Sequence, residues 1–264
     1  MSILTKILDQ KWIEIAALDR KALSLSASHS PAPMNFLVEL QQRRSISQPA
    51  LIAELKRASP SKGILAPHLD LAEVARIYAA NGASAISVLT DQKFFRGNLE
   101  TLRSLRHEVN IGLPLLRKDF IIHETQLYET RINGADAVLL IAAALPDDNQ
   151  LADLHALALD LGLTPLIEVH NEVEVERALQ LKNLRLVGIN NRNLDTFEVT
   201  LETTEQLRPL IPSAIAVVAE SGIFTAADVK RLAQTQVDAV LVGEALITST
   251  DIASKVRELS GKSN

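Results

Sequence analysis

Cysteine is missing from all 264 residues, which excludes disulfides, thiolate zinc sites and a cysteine nucleophile together. Aromatic residues make up only 3% of the chain, too few for a base-stacking platform. There is no long basic run, and a net charge of -5 argues against a general nucleic-acid or acidic-membrane surface. Any anion must therefore be held by a local site. The opening residues lack the continuous apolar stretch of a secretory signal, and the longest apolar stretch, residues 137–145, is too short to span a bilayer. A cytoplasmic, soluble protein is expected. The histidines, at 29, 68, 107, 123, 155 and 170, show neither H-x-H nor H-E-x-x-H spacing, so no metal is expected.

The chain is instead rich in short aliphatic runs. They occur at Ala50-Leu51-Ile52-Ala53, Ala85-Ile86-Ser87-Val88-Leu89, Leu113-Pro114-Leu115-Leu116, Ala137-Val138-Leu139-Leu140-Ile141, Pro165-Leu166-Ile167, Leu186-Val187-Gly188-Ile189, Ile215-Ala216-Val217-Val218 and Ala239-Val240-Leu241-Val242. Segments of helical periodicity lie between them, with Asp70, Asn171 and Thr225 placed as helix starts, the last with Asp228 three positions on. Asp147-Asp148 reads as another helix start, and Glu172, Glu174 and Glu176 as a solvated helix face. Asn81-Gly82-Ala83-Ser84-Ala85 recurs as Asn133-Gly134-Ala135-Asp136-Ala137, each glycine ending a helix before the chain turns into a strand. Continuous apolar strands alternating with helices predict a parallel sheet, and eight repeats at this length predict an α/β fold, the closed (β/α)8 TIM barrel. An open doubly wound sheet is the competing architecture, but G-x-G-x-x-G appears nowhere. Residues 1–45 do not fit the repeat and are read as an N-terminal helical extension that covers one barrel end, with residues 46–264 as the barrel of a single domain. Trp12, the only tryptophan, is assigned to packing, with a lid contact as the lesser alternative.

Catalytic groups of such barrels collect where strands end. The first run leads to Glu54 and Lys56, which share one face of a strand, and then to a loop carrying Ser59, Pro60 and Lys62, suited to a phosphate or carboxylate. Later runs lead to Lys118 with Phe120 beside it, Glu168, Asn190 and Arg192, Glu220 with Ser221 and Gly222, and Gly243. A purely structural barrel would not gather so much charge at one end. For Glu220 and Arg192 the plain alternative is a structural ion pair. His170 reads as a strand-end or capping residue.

These segments carry a resemblance. Glu54-Leu55-Lys56-Arg57-Ala58-Ser59-Pro60-Ser61-Lys62-Gly63 is similar to the first-strand signature of the indole-3-glycerol phosphate synthase family. Leu89-Thr90-Asp91-Gln92-Lys93-Phe94-Phe95, Leu116-Arg117-Lys118-Asp119-Phe120-Ile121, Ile167-Glu168-Val169-His170, Gly188-Ile189-Asn190-Asn191-Arg192-Asn193-Leu194 and Ala219-Glu220-Ser221-Gly222-Ile223 follow the same pattern in order. Departures are confined to Arg96 and Asn98 after the paired phenylalanines and to Asn193, where an acidic residue is common.

The resemblance implies a carboxy-lyase that closes 1-(2-carboxyphenylamino)-1-deoxyribulose 5-phosphate to indole-3-glycerol phosphate with loss of carbon dioxide and water. It implies Lys118 as general acid, with a pKa lowered by other cations and apolar walls, and Glu168 as general base. Lys56 would hold the anthranilate carboxylate. Glu54 would tune the lysines, Asn190 and Glu220 would orient hydroxyls, and Arg192 would offer a forked cation to the carboxylate or to Glu54. Phosphate binding falls to Ser59, Ser221, Gly222 and Gly243, and the ring wall to Phe95 and Phe120, with Phe94 nearby. The expected partner is a small phosphorylated substrate, with no cofactor, nucleic acid or membrane. A monomer is expected, and a weak association with other tryptophan-pathway enzymes stays open. Phosphoribosylanthranilate isomerase, a related barrel, relies on a Cys and Asp pair and is set aside for want of the Cys. A barrel that only binds a phosphorylated ligand would not need Lys56, Lys118 and Glu168 together.

Overall fold

Each of the eight apolar runs becomes one strand of a closed parallel barrel. The structure is a computed structural model and describes residues 2–45, 48–59, 63–64, 69–194 and 196–262. The barrel strands are β1 (Ala50–Leu55), β4 (Ala85–Leu89), β5 (Leu115–Lys118), β6 (Ala137–Ile141), β7 (Thr164–Val169), β8 (Leu186–Asn190), β9 (Ala216–Glu220) and β10 (Ala239–Val242). A small antiparallel hairpin, β2 (Ala58–Ser59) with β3 (Gly63–Ile64), follows β1 and was not expected from the sequence. Strands adjacent in the chain are adjacent in the sheet, and β1 closes the ring by pairing with both β4 and β10. Burial on both faces explains why the strands are continuous aliphatic runs rather than alternating ones.

The helices are α1 (Ile3–Ala16), α2 (Arg20–Ser28), α3 (Phe36–Arg43), α4 (Leu71–Asn81), α5 (Leu99–His107), α6 (Glu124–Ile132), α7 (Asp148–Asp160), α8 (Glu172–Leu179), α9 (Glu202–Leu207), α10 (Ala226–Ala233), α11 (Glu244–Ile247) and α12 (Ile252–Ser260). Asp70, Asp147 and Asn171 each accept an amide hydrogen from the first turn of the helix they start, and Thr225 and Asp228 cap each other's backbone reciprocally. Each such cap contributes about 1 kcal/mol. Gly82 and Gly134 adopt left-handed φ angles of 114° and 81°, which lets each helix end turn straight into a strand.

The extension holds three helices. Ser24, Ser26, Ala27 and Ser28 belong to α2, and the chain leaves the helix at His29 before Pro31 and Pro33. On α3, Phe36 and Leu40 are fully buried, and the helix packs on β1. Trp12 of α1 is half exposed and meets the His123 ring edge-on at 6.0 Å.

Lys11 anchors α1 to the barrel. Its side chain is buried, with Nζ 2.8 Å from Asp91 Oδ2, 2.8 Å from Asp119 Oδ1 and 2.9 Å from Glu14 Oε2. Asp91 Oδ1 also accepts the amides of Phe94 and Phe95, at 2.7 and 3.1 Å, so the clamp fixes the loop after β4. Burial opposes the charge on Lys11, but Asp119 and Asp91 carry its pKa above the usual lysine range. Burial likewise opposes the Asp119 charge, while Arg117 and Lys11 bring that pKa down to about 2.

Lys11→Met should therefore destabilise the fold by about 3 kcal/mol, because buried Asp91 loses the cation that faces it and Asp119 is left with Arg117 alone. Asp119 is depressed in the fold, so its contribution is complete above the unfolded value of about 4 and fades as pH falls through about 2. Denaturant unfolding of both proteins across this range should show a deficit that narrows toward the acid end. A deficit independent of pH would mean that Lys11 acts only by packing.

Candidate active site

Five expected functional side chains stand at or near the carboxyl ends of barrel strands: Glu54 on β1, Lys118 ending β5, Glu168 on β7, Asn190 ending β8 and Glu220 ending β9. Glu54, Lys118, Glu168 and Asn190 all line one cavity, and Glu220 opens onto its continuation. Lys118 Nζ lies 3.0 Å from Glu168 Oε2 and 3.3 Å from Glu220 Oε2. Lys56, one residue past β1, places Nζ 3.1 Å from Glu54 Oε1. Asn190 Oδ1 accepts the Arg192 amide at 3.0 Å, which sets the turn after β8.

The expected environment of Lys118 is reversed. In place of other cations, three carboxylates surround it. Burial pulls its pKa down, but Glu168, Glu220 and Glu54 together lift it well above the usual lysine range. Burial raises the Glu168 pKa, yet Lys118 and His170 hold the group below the usual carboxylate range. Glu220 goes the other way: burial raises it, and although Lys118 opposes, the neighbouring Glu168 charge adds to the rise. Two buried carboxyls that share one ammonium cannot both be stabilised as anions, so one ionises and its neighbour holds a proton. Both Glu220 oxygens are buried and lack an aligned hydrogen-bond partner, although Oε2 stands 3.3 Å from the Lys118 ammonium.

Glycine makes room for two of these acids. A Cβ on Gly188 would collide with Glu220 Oε1, and one on Gly243 would collide with Glu54 Oε1. Gly188 reads in the sequence as one more residue of an apolar strand, but its bare backbone is the seat of the Glu220 carboxyl.

The cleft has two lobes. The first, of about 150 Å³, is walled by Phe95 and Phe120, whose ring centroids are 6.0 Å apart, and by Leu194 and Phe197. Ile3, Leu4 and Ile7 of α1 complete the wall, so the extension does cover the barrel mouth. A cavity of about this size accommodates one benzene ring. The second lobe, of about 330 Å³, is lined by Ser221, Gly222 and Gly243. Ser221 and Gly222 take successive left-handed φ angles of 67° and 78°, a backbone strained at Ser221 where it faces the cleft. Glu54, Lys56, Lys118, Arg192, Phe197, Ser221 and Glu244 line both lobes.

Other expected residues fall differently. Arg192 donates from Nη1 to the Phe197 carbonyl at 3.4 Å, and among the described residues it forms no ion pair with Glu220 or Glu54. The plain alternative for Glu220 and Arg192 is thereby removed. Phe94 does not line the cleft; the Lys93 ammonium sits 5.8 Å above its ring. The Ser59 side chain, Pro60, Ser61 and Lys62 lie outside the described residues. His170 is more than a strand-end or capping residue, since it contacts both Glu168 and Glu174. Glu174 is accordingly half-buried rather than part of a solvated face. Sequence reasoning also missed Ile3, Leu4, Ile7, Leu194 and Phe197, whose helical spacing or loop position carries no sign of a cleft.

Residues 4–259 match the family profile described as indole-3-glycerol phosphate synthase. Proteins with that name from Roseiflexus castenholzii, Dehalococcoides mccartyi and Polaromonas naphthalenivorans are 50%, 53% and 46% identical to this chain. The alignments cover 99%, 86% and 98% of it, and 99%, 86% and 99% of the respective relatives. A crystal structure of 3-hexulose-6-phosphate synthase from Salmonella typhimurium superimposes with a TM-score of 0.62 at 16% identity, covering 80% of this chain and 97% of that one, which speaks to the barrel fold alone. Profile, relatives and strand-end chemistry agree, and the chain belongs to the indole-3-glycerol phosphate synthase family.

Proposed function

We propose that the chain closes 1-(2-carboxyphenylamino)-1-deoxyribulose 5-phosphate to indole-3-glycerol phosphate, releasing carbon dioxide and water. The observation that carries this is the position of Lys118, set between Glu168 and Glu220 where a ring-sized apolar lobe joins a glycine-walled polar one.

The anthranilate ring occupies the apolar lobe against Phe95 and Phe120, and the phosphate the other, against the backbone of Ser221, Gly222 and Gly243. Ser59 is read as a further phosphate ligand. Lys56 leaves Glu54 to pair with the substrate carboxylate, and Arg192 approaches the same group. The substrate is thereby stretched across the lysine, which is the entropic part of catalysis. The ring carbon bearing the carboxylate then attacks the C2 carbonyl, and Lys118 delivers a proton to the oxygen as it gains charge. Carbon dioxide leaves and restores the aromatic ring. The new hydroxyl departs as water, protonated by Lys56 or Lys118, while Glu168 takes a proton from the adjacent carbon. Asn190 and the protonated Glu220 hold the substrate hydroxyls.

The same reading takes residues 1–264 as one domain, a monomer acting in the cytoplasm, with no cofactor and at most weak association with neighbouring pathway enzymes. In support, no helix among the described residues is long and apolar enough to cross a membrane. Supplying the carboxyphenylamino ribulose phosphate and following carbon dioxide together with indole fluorescence tests the reaction. Equal yields of both are expected. Tight binding by folded protein without release of carbon dioxide would overturn the assignment.

A further inference from the structure

His170 is a largely buried titratable group that the reaction above does not use. It follows β7 two residues after Glu168, so strand alternation brings both side chains to the same side. Nε2 lies 3.3 Å from Glu168 Oε1, and Nδ1 lies 2.9 Å from Glu174 Oε2. The first contact is an ion-pair approach that misses hydrogen-bond alignment, and the second is a hydrogen bond. Glu174 is itself fixed: Oε2 also accepts the His170 amide at 2.9 Å, and Oε1 accepts from Asn171 Nδ2 at 2.8 Å. Each ring nitrogen therefore faces a carboxylate oxygen. A neutral imidazole carries one N–H and would turn a lone pair toward one of the two; only the imidazolium suits both.

The charges around this group are few. His170 faces Glu168 from β7 and Glu174 from α8, while Glu168 faces Lys118 from β5, which in turn contacts Glu220 from β9. Burial disfavours the imidazolium, but Glu168 and Glu174 outweigh it and push the His170 pKa up to about 10.

We propose that His170 is a positioning residue: anchored by Glu174 as a fixed cation, it keeps Glu168 ionised and oriented when Lys118 turns to the substrate. The inference rests on Glu168 serving as the base. At rest Glu168 has two cations beside it. Once Lys118 has given its proton to the C2 oxygen it is a neutral amine, and Glu168 stands buried next to Glu220. A carboxyl so placed binds a proton and ceases to be a base unless another cation remains. His170 is that cation, and it never has to move.

Three variants separate the alternatives. In His170→Gln the acid limb of the kcat profile should move up by about one pH unit, since a unit charge beside the base is lost. Glu174→Gln should move it in the same direction by less, because the imidazole stays in place but loses its anchor. In the free enzyme labelled with nitrogen-15 histidine, the His170 ring should be doubly protonated at about pH 8, and should lose its second proton at a lower pH in Glu174→Gln than in the unmodified enzyme. An unmoved acid limb in His170→Gln, or a neutral His170 ring at that pH in the unmodified enzyme, overturns the proposal. Glu168→Gln checks the premise separately: if it dehydrates at full rate, Glu168 is not the base, whatever the histidine spectra show.

Discussion

Lys118→Met should lower kcat by about a thousandfold while KM changes less than about tenfold. The side chain keeps its unbranched shape and most of its length, and loses its proton. Because the proton moves as charge develops on the C2 oxygen, the loss belongs to the transition state rather than to binding. The three carboxylates make Lys118 a weak acid in the free enzyme, its pKa above the usual lysine range. That does not disable it. An oxygen becoming an alkoxide is more basic than an amine, so transfer is still downhill at the moment it is needed. A raised pKa also keeps the group protonated through neutral and mildly alkaline pH, so its titration should place no alkaline limb on kcat/KM within that range. Lys118→Arg restores the charge without a transferable proton, because guanidinium does not deprotonate, and it should stay within about tenfold of the Met variant. Rates near the unmodified enzyme for the Arg variant would show that charge alone suffices. Equal losses in kcat and in affinity would make Lys118 a substrate ligand only.

The order of strands and the polar residues after them were legible because both are local properties of the chain. A strand buried on two faces must be aliphatic throughout, and a charged residue directly after such a run has only the barrel mouth to occupy. Helix starts at Asp70, Asn171 and Thr225 were legible for the same reason, since a cap needs only the amides of its own first turn. The electrostatics were not. Glu54, Lys118, Glu168 and Glu220 come from four strands, and which charge meets which is settled by the closure of the ring. That is why Lys118 was expected among cations and stands among carboxylates. His170 and Glu174 are only four residues apart, but their pairing depends on how α8 leaves β7, which no periodicity encodes. Gly188 shows a third kind of loss: the reason for the glycine is a carboxyl on the next strand.

Glu168→Gln should separate the two halves of the reaction. Glutamine keeps the shape and a carbonyl oxygen for Lys118 but cannot accept the proton, so dehydration should slow by about a hundredfold or more. Ring closure and decarboxylation depend on the Lys118 proton and on the carboxylate held by Lys56, and should be hindered less. In a single turnover with enzyme in excess, carbon dioxide should therefore appear well ahead of indole fluorescence, whereas the unmodified enzyme should release them together or nearly so. The variant also removes Glu168, the strongest of the charges that raise the Lys118 pKa, and it leaves Glu220 without the neighbouring charge that favours its protonated form. Glu220 should then ionise in its place and keep Lys118 charged, which preserves the first step. If carbon dioxide and indole are delayed equally in Glu168→Gln, the carboxylate acts before decarboxylation, as the partner that orients Lys118, and the base for dehydration must be sought at Glu54 or Glu220.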